Sequence, residues 1–229
     1  MARNTTNLKV EVIGDSRTRY LYPVLKMIMP ELSLVHDIPG ANIERISNAI
    51  NNRIANKAPV DVIYVLVGIN DVTKLLYNPR RIALRNINIE YAVTTLSDKF
   101  ETLMERAATA NTESGKKVKV IPMRLYGVDL AVYNNTPPPH PHQSLCEETI
   151  IAINNKINAL ALEYQAFAPY SERICHRYHP SRGNTHNYNN LQDGCHPYET
   201  TQQKIANVIV QSLEKTLHAG WLQGEILAE

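Results

Sequence analysis

The sequence predicts an α/β domain in which helices cover both faces of a parallel sheet. Short apolar runs alternate along the chain with segments of helical period, and crossover connections of one hand then bury both faces of the sheet. A chain of 229 residues with 44% apolar side chains is long enough to close one such core, so residues 1–229 are expected to fold as a single domain.

Leu8, Val10 and Val12 alternate with Lys9 and Glu11, and after Ile13 the run breaks into Gly14-Asp15-Ser16, so a first strand ends where a turn begins. Residues 17–29 read as helix up to Pro30, and residues 32–36 as a short second strand. After Pro39-Gly40, Ile43, Ile46, Ile50 and Ile54 recur at helical spacing. Residues 62–67 are almost continuously apolar, the pattern of a strand in the middle of a parallel sheet. From Ile89, the positions Val93, Leu96, Phe100, Leu103 and Ala107 mark a long amphipathic helix ending near Ser114-Gly115, and residues 117–121 form a fourth strand.

Residues 123–143 end in Pro137-Pro-Pro-His-Pro-His142, which excludes helix or central strand and predicts a surface loop, long enough to be a lid or substrate wall. A helix is expected over 145–164 and a fifth strand over 165–170. Residues 171–196 are rich in His, Asn and Arg without apolar period and read as loop. Thr200-Thr-Gln-Gln203 offers a capping box for a last helix using Ile205, Val208, Ile209 and Leu213 and reaching about His218.

Composition narrows the partners. With 24 basic against 22 acidic side chains, the net charge of +2 builds no broad positive field, so nucleic acid is not an expected partner. The basic runs Arg80-Arg81, Arg85 and Lys116-Lys117-x-Lys119 lack interleaved aromatics. No apolar run approaches the roughly 20 residues that cross a bilayer, and the N-terminus is polar, so no membrane span or signal peptide and a cytoplasmic location are expected. Cys146, Cys175 and Cys195 cannot all pair internally, which fits reduced thiols. Cys175, His176, His179, His186, Cys195 and His196 have zinc-ligand chemistry, yet there is no Cys-x-x-Cys pair, and no metal is expected. Neither Gly-x-Gly-x-x-Gly nor a phosphate-loop lysine points to a nucleotide cofactor.

The chemistry lies where strands end. Ser16 follows the first strand, Gly40 the second and Asn70 the third, so all three fall at the carboxyl edge, where ligands meet open parallel sheets. Ser16, on a tight strand-to-helix turn, is a candidate nucleophile, although a serine there is also an ordinary helix cap. Its base would be His196, which follows Asp193 by three residues in Asp193-Gly-Cys-His196; Asp193 would fix the ring's tautomer and leave Nε2 to take the Ser16 proton. A developing oxyanion would meet the Ser16 N–H, the Gly40 N–H and the Asn70 amide, with Asp15 and Asp71 as supporting carboxylates. Taken singly, each of these is as readily a turn or a cap.

Together, Gly14-Asp15-Ser16, Gly40, Gly68-Ile-Asn70-Asp71 and Asp193-Gly-Cys-His196 resemble, in order and spacing, the four signature blocks of the SGNH/GDSL hydrolases over residues 8–218. By chance the ordered combination is expected on the order of 10⁻³ or less, given average composition. The resemblance implies a three-layer α/β/α flavodoxin-like fold with strand order 2-1-3-4-5. It also implies hydrolysis of carboxylic esters, short-acyl or O-acetyl, through an acyl-enzyme, on a small-molecule or acylated-polymer substrate and with no cofactor. Arg17 after the nucleophile would tune an acidic or polar substrate, and Cys195 stands where an unreactive residue is usual. The competing reading is a silent binding or scaffold module of the same fold, part of a larger or mobile-element protein and associated with nucleic acid.

Overall fold

The computed structural model describes residues 4–6, 8–29, 32–77, 89–171, 174, 176–179, 183–186, 188–222 and 226–228. In chain order the elements are β1 (Asn4–Thr6), β2 (Val10–Gly14), α1 (Leu21–Ile28), β3 (Leu32–Asp37), α2 (Ile43–Ala55), β4 (Val62–Leu66), α3 (Ile69–Tyr77), α4 (Ile89–Ser114), β5 (Lys119–Pro122), α5 (Leu130–Tyr133), α6 (Gln143–Glu163), β6 (His176–His179), β7 (Gly183–His186), α7 (Glu199–His218) and β8 (Ile226–Ala228).

Strands β3-β2-β4-β5 form one sheet in which every pair is parallel. The two-residue period of the strands sorts their side chains into two cores. Val10, Val12, Val62, Tyr64 and Leu66 point to one face and pack with Leu21 and Leu25 of α1 and Ile205, Ile209 and Leu213 of α7. Ile13, Ile63, Val65 and Val67 point to the other and pack with the Ile43, Ile46, Ile50 and Ile54 stripe of α2, Phe100 and Leu103 of α4, and Ile153 and Ile157 of α6. Full burial of each such side chain is worth about 1.5–3 kcal/mol. Glu11 breaks the apolar pattern of β2 and is buried, and it is held by the Arg53 guanidinium of α2. These layers are the expected α/β/α arrangement.

The sheet has four strands in sequence order 2-1-3-4, where a fifth was expected over 165–170. That segment spends its hydrogen bonds elsewhere. The Phe167 N–H donates to Thr216 Oγ1 at 3.3 Å, and the Phe167 carbonyl accepts from Ser212 Oγ, both on α7. Pro169 has no N–H to give, and among the described residues one ladder-like bond, Arg124 N–H to the Pro169 carbonyl at 3.2 Å, lies beside β5.

Three further expectations are corrected. Residues 123–131 are largely buried rather than a surface loop: Met123, Leu125, Tyr126, Val128 and Leu130 are each at most 1% exposed. Irregular backbone needs partners when buried. Asn154 of α6 supplies them, accepting from the Leu125 N–H at 2.6 Å and donating to the Leu125 carbonyl at 2.7 Å. Within 171–196, β6 and β7 pair as an antiparallel hairpin. At the start of α7 the expected capping box does not form: Tyr198 is the N-cap without a side-chain bond, and Thr201 Oγ1 donates instead to the Asn190 carbonyl. The sequence reading also missed α3 and the antiparallel pairing of β1 with β8.

No described helix is long and apolar enough to cross a membrane.

Candidate active site

The ladder between β2 and β4 runs one bond past β2, from the Asp15 N–H to the Leu66 carbonyl at 3.1 Å, and Ser16 is the first residue to turn away. Ser16 opens a short 3-10 turn over Ser16–Thr18 capped by Asp15, whose carboxylate accepts the Arg17 N–H at 3.0 Å. Of this turn Asp15, Arg17 and Thr18 are buried, while Ser16 is half-buried and reachable. The sheet edge therefore fixes the backbone and leaves the hydroxyl accessible.

Ser16 Oγ lies 2.8 Å from His196 Nε2, and His196 Nδ1 lies 2.7 Å from Asp193 Oδ2. A carboxylate only accepts, so Nδ1 carries the proton it gives to Asp193; in the neutral ring Nε2 is then an acceptor, and the Ser16 hydroxyl donates to it. A span of 180 residues thus closes to one hydrogen bond.

Asp193 also organises its own turn. Its Oδ1 accepts the N–H groups of Cys195 at 3.1 Å and His196 at 2.7 Å. Burial by itself raises the Asp193 carboxyl, but the hydrogen bonds from the His196 backbone and ring and the Cys195 N–H outweigh it and hold the group below its ordinary value. The turn is closed behind by the Gln192 N–H to the His196 carbonyl at 2.7 Å and by the bridge of Leu191 with Pro197.

Gly194 seats this turn on the rest of the protein. Its carbonyl accepts the Asp129 N–H at 2.8 Å, its φ is +78°, and a Cβ there would lie 2.6 Å from the Asp129 carbonyl oxygen and 2.8 Å from the Tyr133 nitrogen. Asp129 in turn caps α5 through the Ala131 and Val132 N–H groups, and Gln143 of α6 accepts the Leu130 N–H and donates to the Val128 carbonyl. In Gly194→Ala both the left-handed backbone and the contact oppose the added methyl, a strain of about 1–3 kcal/mol. We expect a lower Tm and, because His196 rides on this turn, a kcat reduced about 10²-fold, as for a misplacement near 1 Å; unfolding and turnover assays on one preparation check both.

Asn70 lies in the first turn of α3, half-buried, and donates from Nδ2 to the Ala41 carbonyl at 2.9 Å. That bond ties the Gly40 turn to the end of β4 and uses one of the two N–H donors of the amide. Gly40 has φ +66° with open space around its missing Cβ, so backbone conformation rather than crowding is what calls for glycine. Among the described residues no hydrogen bond takes up the Ser16 or Gly40 N–H. Asp71 braces the same edge: its two oxygens accept the Ile43 N–H at 2.9 Å and Lys99 Nζ at 2.6 Å, joining α3 to the start of α2 and to α4.

Arg17 does not face a substrate, contrary to expectation. It is 1% exposed, forks onto the Asp15 carboxylate through Nε at 2.9 Å and Nη2 at 3.0 Å, and lies 4.7 Å from the centroid of the Tyr126 ring. Burial alone would lower the guanidinium's pKa, but Asp15, with Tyr126, reverses this and the net direction is upward. Cys195 is buried, and desolvation pushes its thiol up to about 12, so it stays protonated. The braces Asp129, Asn154 and Gln143 escaped the sequence reading, and Arg17 was read as a substrate contact; Asp129 alone of the three carried a local signal, an aspartate just before a short apolar run.

Among the described residues no group of three or more His, Cys, Asp or Glu side chains could hold a metal ion. Cys175, Arg80, Arg81 and Arg85 lie outside the described residues.

No protein-family model and no curated protein matches the sequence. Solved structures do. A lipolytic protein of the G-D-S-L family from Veillonella parvula aligns at 14% identity and TM-score 0.59 over 90% of this chain and 98% of its own. An acetylxylan esterase from Geobacillus stearothermophilus aligns at 15% identity and TM-score 0.59 over 92% and 96%. The C-terminal catalytic domain of the peptidoglycan O-acetyltransferase of Streptococcus pneumoniae aligns at 13% identity and TM-score 0.56 over 98% and 99%. At such identities the likeness is one of fold, and the fold is that of the SGNH/GDSL hydrolases.

Proposed function

We propose that this protein is a serine hydrolase that cleaves carboxylic esters through an acyl-enzyme, with Ser16 as nucleophile, His196 as general base and acid, and Asp193 as the group that orients the imidazole. The observation that carries this reading is the unbroken chain from Ser16 Oγ to His196 Nε2 at 2.8 Å and from His196 Nδ1 to Asp193 Oδ2 at 2.7 Å, at a sheet edge where Ser16 is accessible.

In the first half-reaction Ser16 Oγ attacks the ester carbonyl carbon as its proton passes to His196 Nε2. The carbonyl oxygen takes up the negative charge, met by the N–H groups of Ser16 and Gly40 and the second amide N–H of Asn70. The tetrahedral species collapses, the C–O bond to the alcohol breaks, and His196 returns its proton to the leaving oxygen. Water then repeats the sequence on the acyl-serine: it gives a proton to Nε2, the acyl carbon leaves Oγ as a carboxylic acid, and Ser16 is reprotonated. The balance needs water alone as co-reactant. O-acetyl and other short-acyl esters of small molecules or acylated polymers are the proposed substrates; solved proteins of this fold include acetylxylan esterases.

Asn70→Ala removes one of three oxyanion donors and should lower kcat about 10²–10³-fold with KM little changed. Steady-state kinetics on p-nitrophenyl acetate measure it. The reading as a whole is tested with a fluorophosphonate probe: it should label wild-type protein on the peptide holding Ser16 and leave Ser16→Ala unlabelled, whereas labelling elsewhere, or none on folded protein, would overturn it.

A further inference from the structure

The opposite rim of the sheet carries a feature that ester hydrolysis does not use. A cavity of about 570 Å³ opens where the parallel strands begin: Leu8 and Asp61 line it just before β2 and β4, and Lys116, Lys117 and Lys119 line it at the start of β5. Ser16, Gly40 and Asn70 stand at the other ends of these strands, about 16 Å away for strands of this length.

Three lysines and one carboxylate line it, and that carboxylate is engaged, Asp61 Oδ2 accepting the Lys9 N–H at 2.8 Å. Lys119 Nζ donates to the carbonyls of Tyr164 at 3.1 Å and Gln165 at 3.2 Å, which leaves its third proton unused. Among the described residues no carboxylate pairs with the ammonium groups of Lys116, Lys117 or Lys119. Desolvation lowers the Lys119 pKa with no compensating charge, so an anion brought to it would be stabilised. The rest of the wall is apolar: Met104, Val118, Leu222 and the ring of Trp221, which stacks on Phe167 at 4.8 Å between centroids. The size falls within the range of small-molecule sites, and the cavity is concave where a polyanion would need a long open groove.

We propose that this cavity is a second binding site, separate from the Ser16 edge, for a small amphiphilic anion: one carboxylate or phosphate head held by Lys116, Lys117 and Lys119, and an apolar body lying along Met104 and Trp221. Nothing in it depends on catalysis at Ser16.

Trp221 is the only tryptophan of the chain and lines the cavity, so its fluorescence reports occupancy directly. Wild type and Ser16→Ala are titrated with decanoate and with decyl phosphate below their micelle concentrations, and with decanol, decyltrimethylammonium and inorganic phosphate as controls. The proposal predicts a saturable change with one or both anionic amphiphiles, alike in wild type and Ser16→Ala, and no comparable response to the three controls. Lys117→Met, at an exposed position, and Lys119→Met should each weaken binding roughly tenfold, the scale of one lost charge-assisted contact. Ala108→Phe, on the exposed face of α4 that lines the cavity, should block binding while circular dichroism stays unchanged. Equal response to the neutral or cationic chain, saturation by inorganic phosphate alone, wild-type affinity in Lys117→Met and Ala108→Phe, or no saturable change with either anion would overturn it. Because binding is read in Ser16→Ala as well, loss of this site and loss of the hydrolase reading are distinguishable.

Discussion

His196→Ala and Ser16→Ala should each lower kcat for a short-chain p-nitrophenyl ester by about 10⁴–10⁶-fold, with KM changed far less, and the double variant should be hardly worse than either single one. The non-additivity follows from the geometry. The hydroxyl and the ring share one hydrogen bond of 2.8 Å, so losing either partner ends the proton transfer that the other serves. A residual rate over water would remain from the N–H groups of Ser16 and Gly40 and the amide of Asn70. Asp193 makes stability depend on pH. Its carboxyl is held below the ordinary value in the folded chain, so its stabilisation is present above that ordinary value and is lost as pH falls through the depressed one. Urea unfolding of wild type and Asp193→Asn at neutral and at acidic pH checks the sign: wild type should lose its advantage as pH falls, and an advantage unchanged by pH contradicts the depressed carboxyl.

The largest effect on stability is expected at Asp15. Asp15→Asn removes the charge that compensates a guanidinium with a fully buried side chain, and breaking a buried pair on one side costs about 3–5 kcal/mol. The Asp15 side chain is 1% exposed and also accepts the Arg17 N–H, a cap that an asparagine amide oxygen can keep, so the loss reads the missing charge. Urea unfolding should show the loss as a lower midpoint at unchanged slope. Arg17→Met combined with Asp15→Asn should be less damaging than Asp15→Asn alone, because a buried charge without a partner is worse than none; a double-mutant cycle reads the coupling. Additive losses would mean that the two side chains act independently.

Residue type announced some parts of this structure and concealed others, for physical reasons. The strand Val62–Leu66 was legible because it is buried on both faces and so reads as an apolar run, and α2 because Ile43, Ile46, Ile50 and Ile54 recur at the helical period. The common edge of Ser16, Gly40 and Asn70 was legible because parallel topology brings successive strand ends together, whereas Asp193 and His196 were read from their three-residue spacing alone. What stayed hidden depends on long-range hydrogen bonds. Burial of residues 123–131 rests on Asn154, 29 residues from Leu125, and the missing fifth strand on Ser212 and Thr216, both more than 40 residues from Phe167. The hairpin of β6 and β7 has no apolar alternation to betray it. Arg17 misled because an arginine beside a nucleophile suggests a substrate contact, whereas its partner was the aspartate two residues back.

The central claim is that Ser16 carries the acyl group during turnover. Brief reaction with p-nitrophenyl acetate, acid quench and mass spectrometry of the digested protein test it most directly. The mechanism predicts a burst of p-nitrophenol and an acetyl group on the peptide holding Ser16, enriched when deacylation is slowed at low pH. Turnover with no acetyl on that peptide, or with the acetyl group on Cys195, would contradict it.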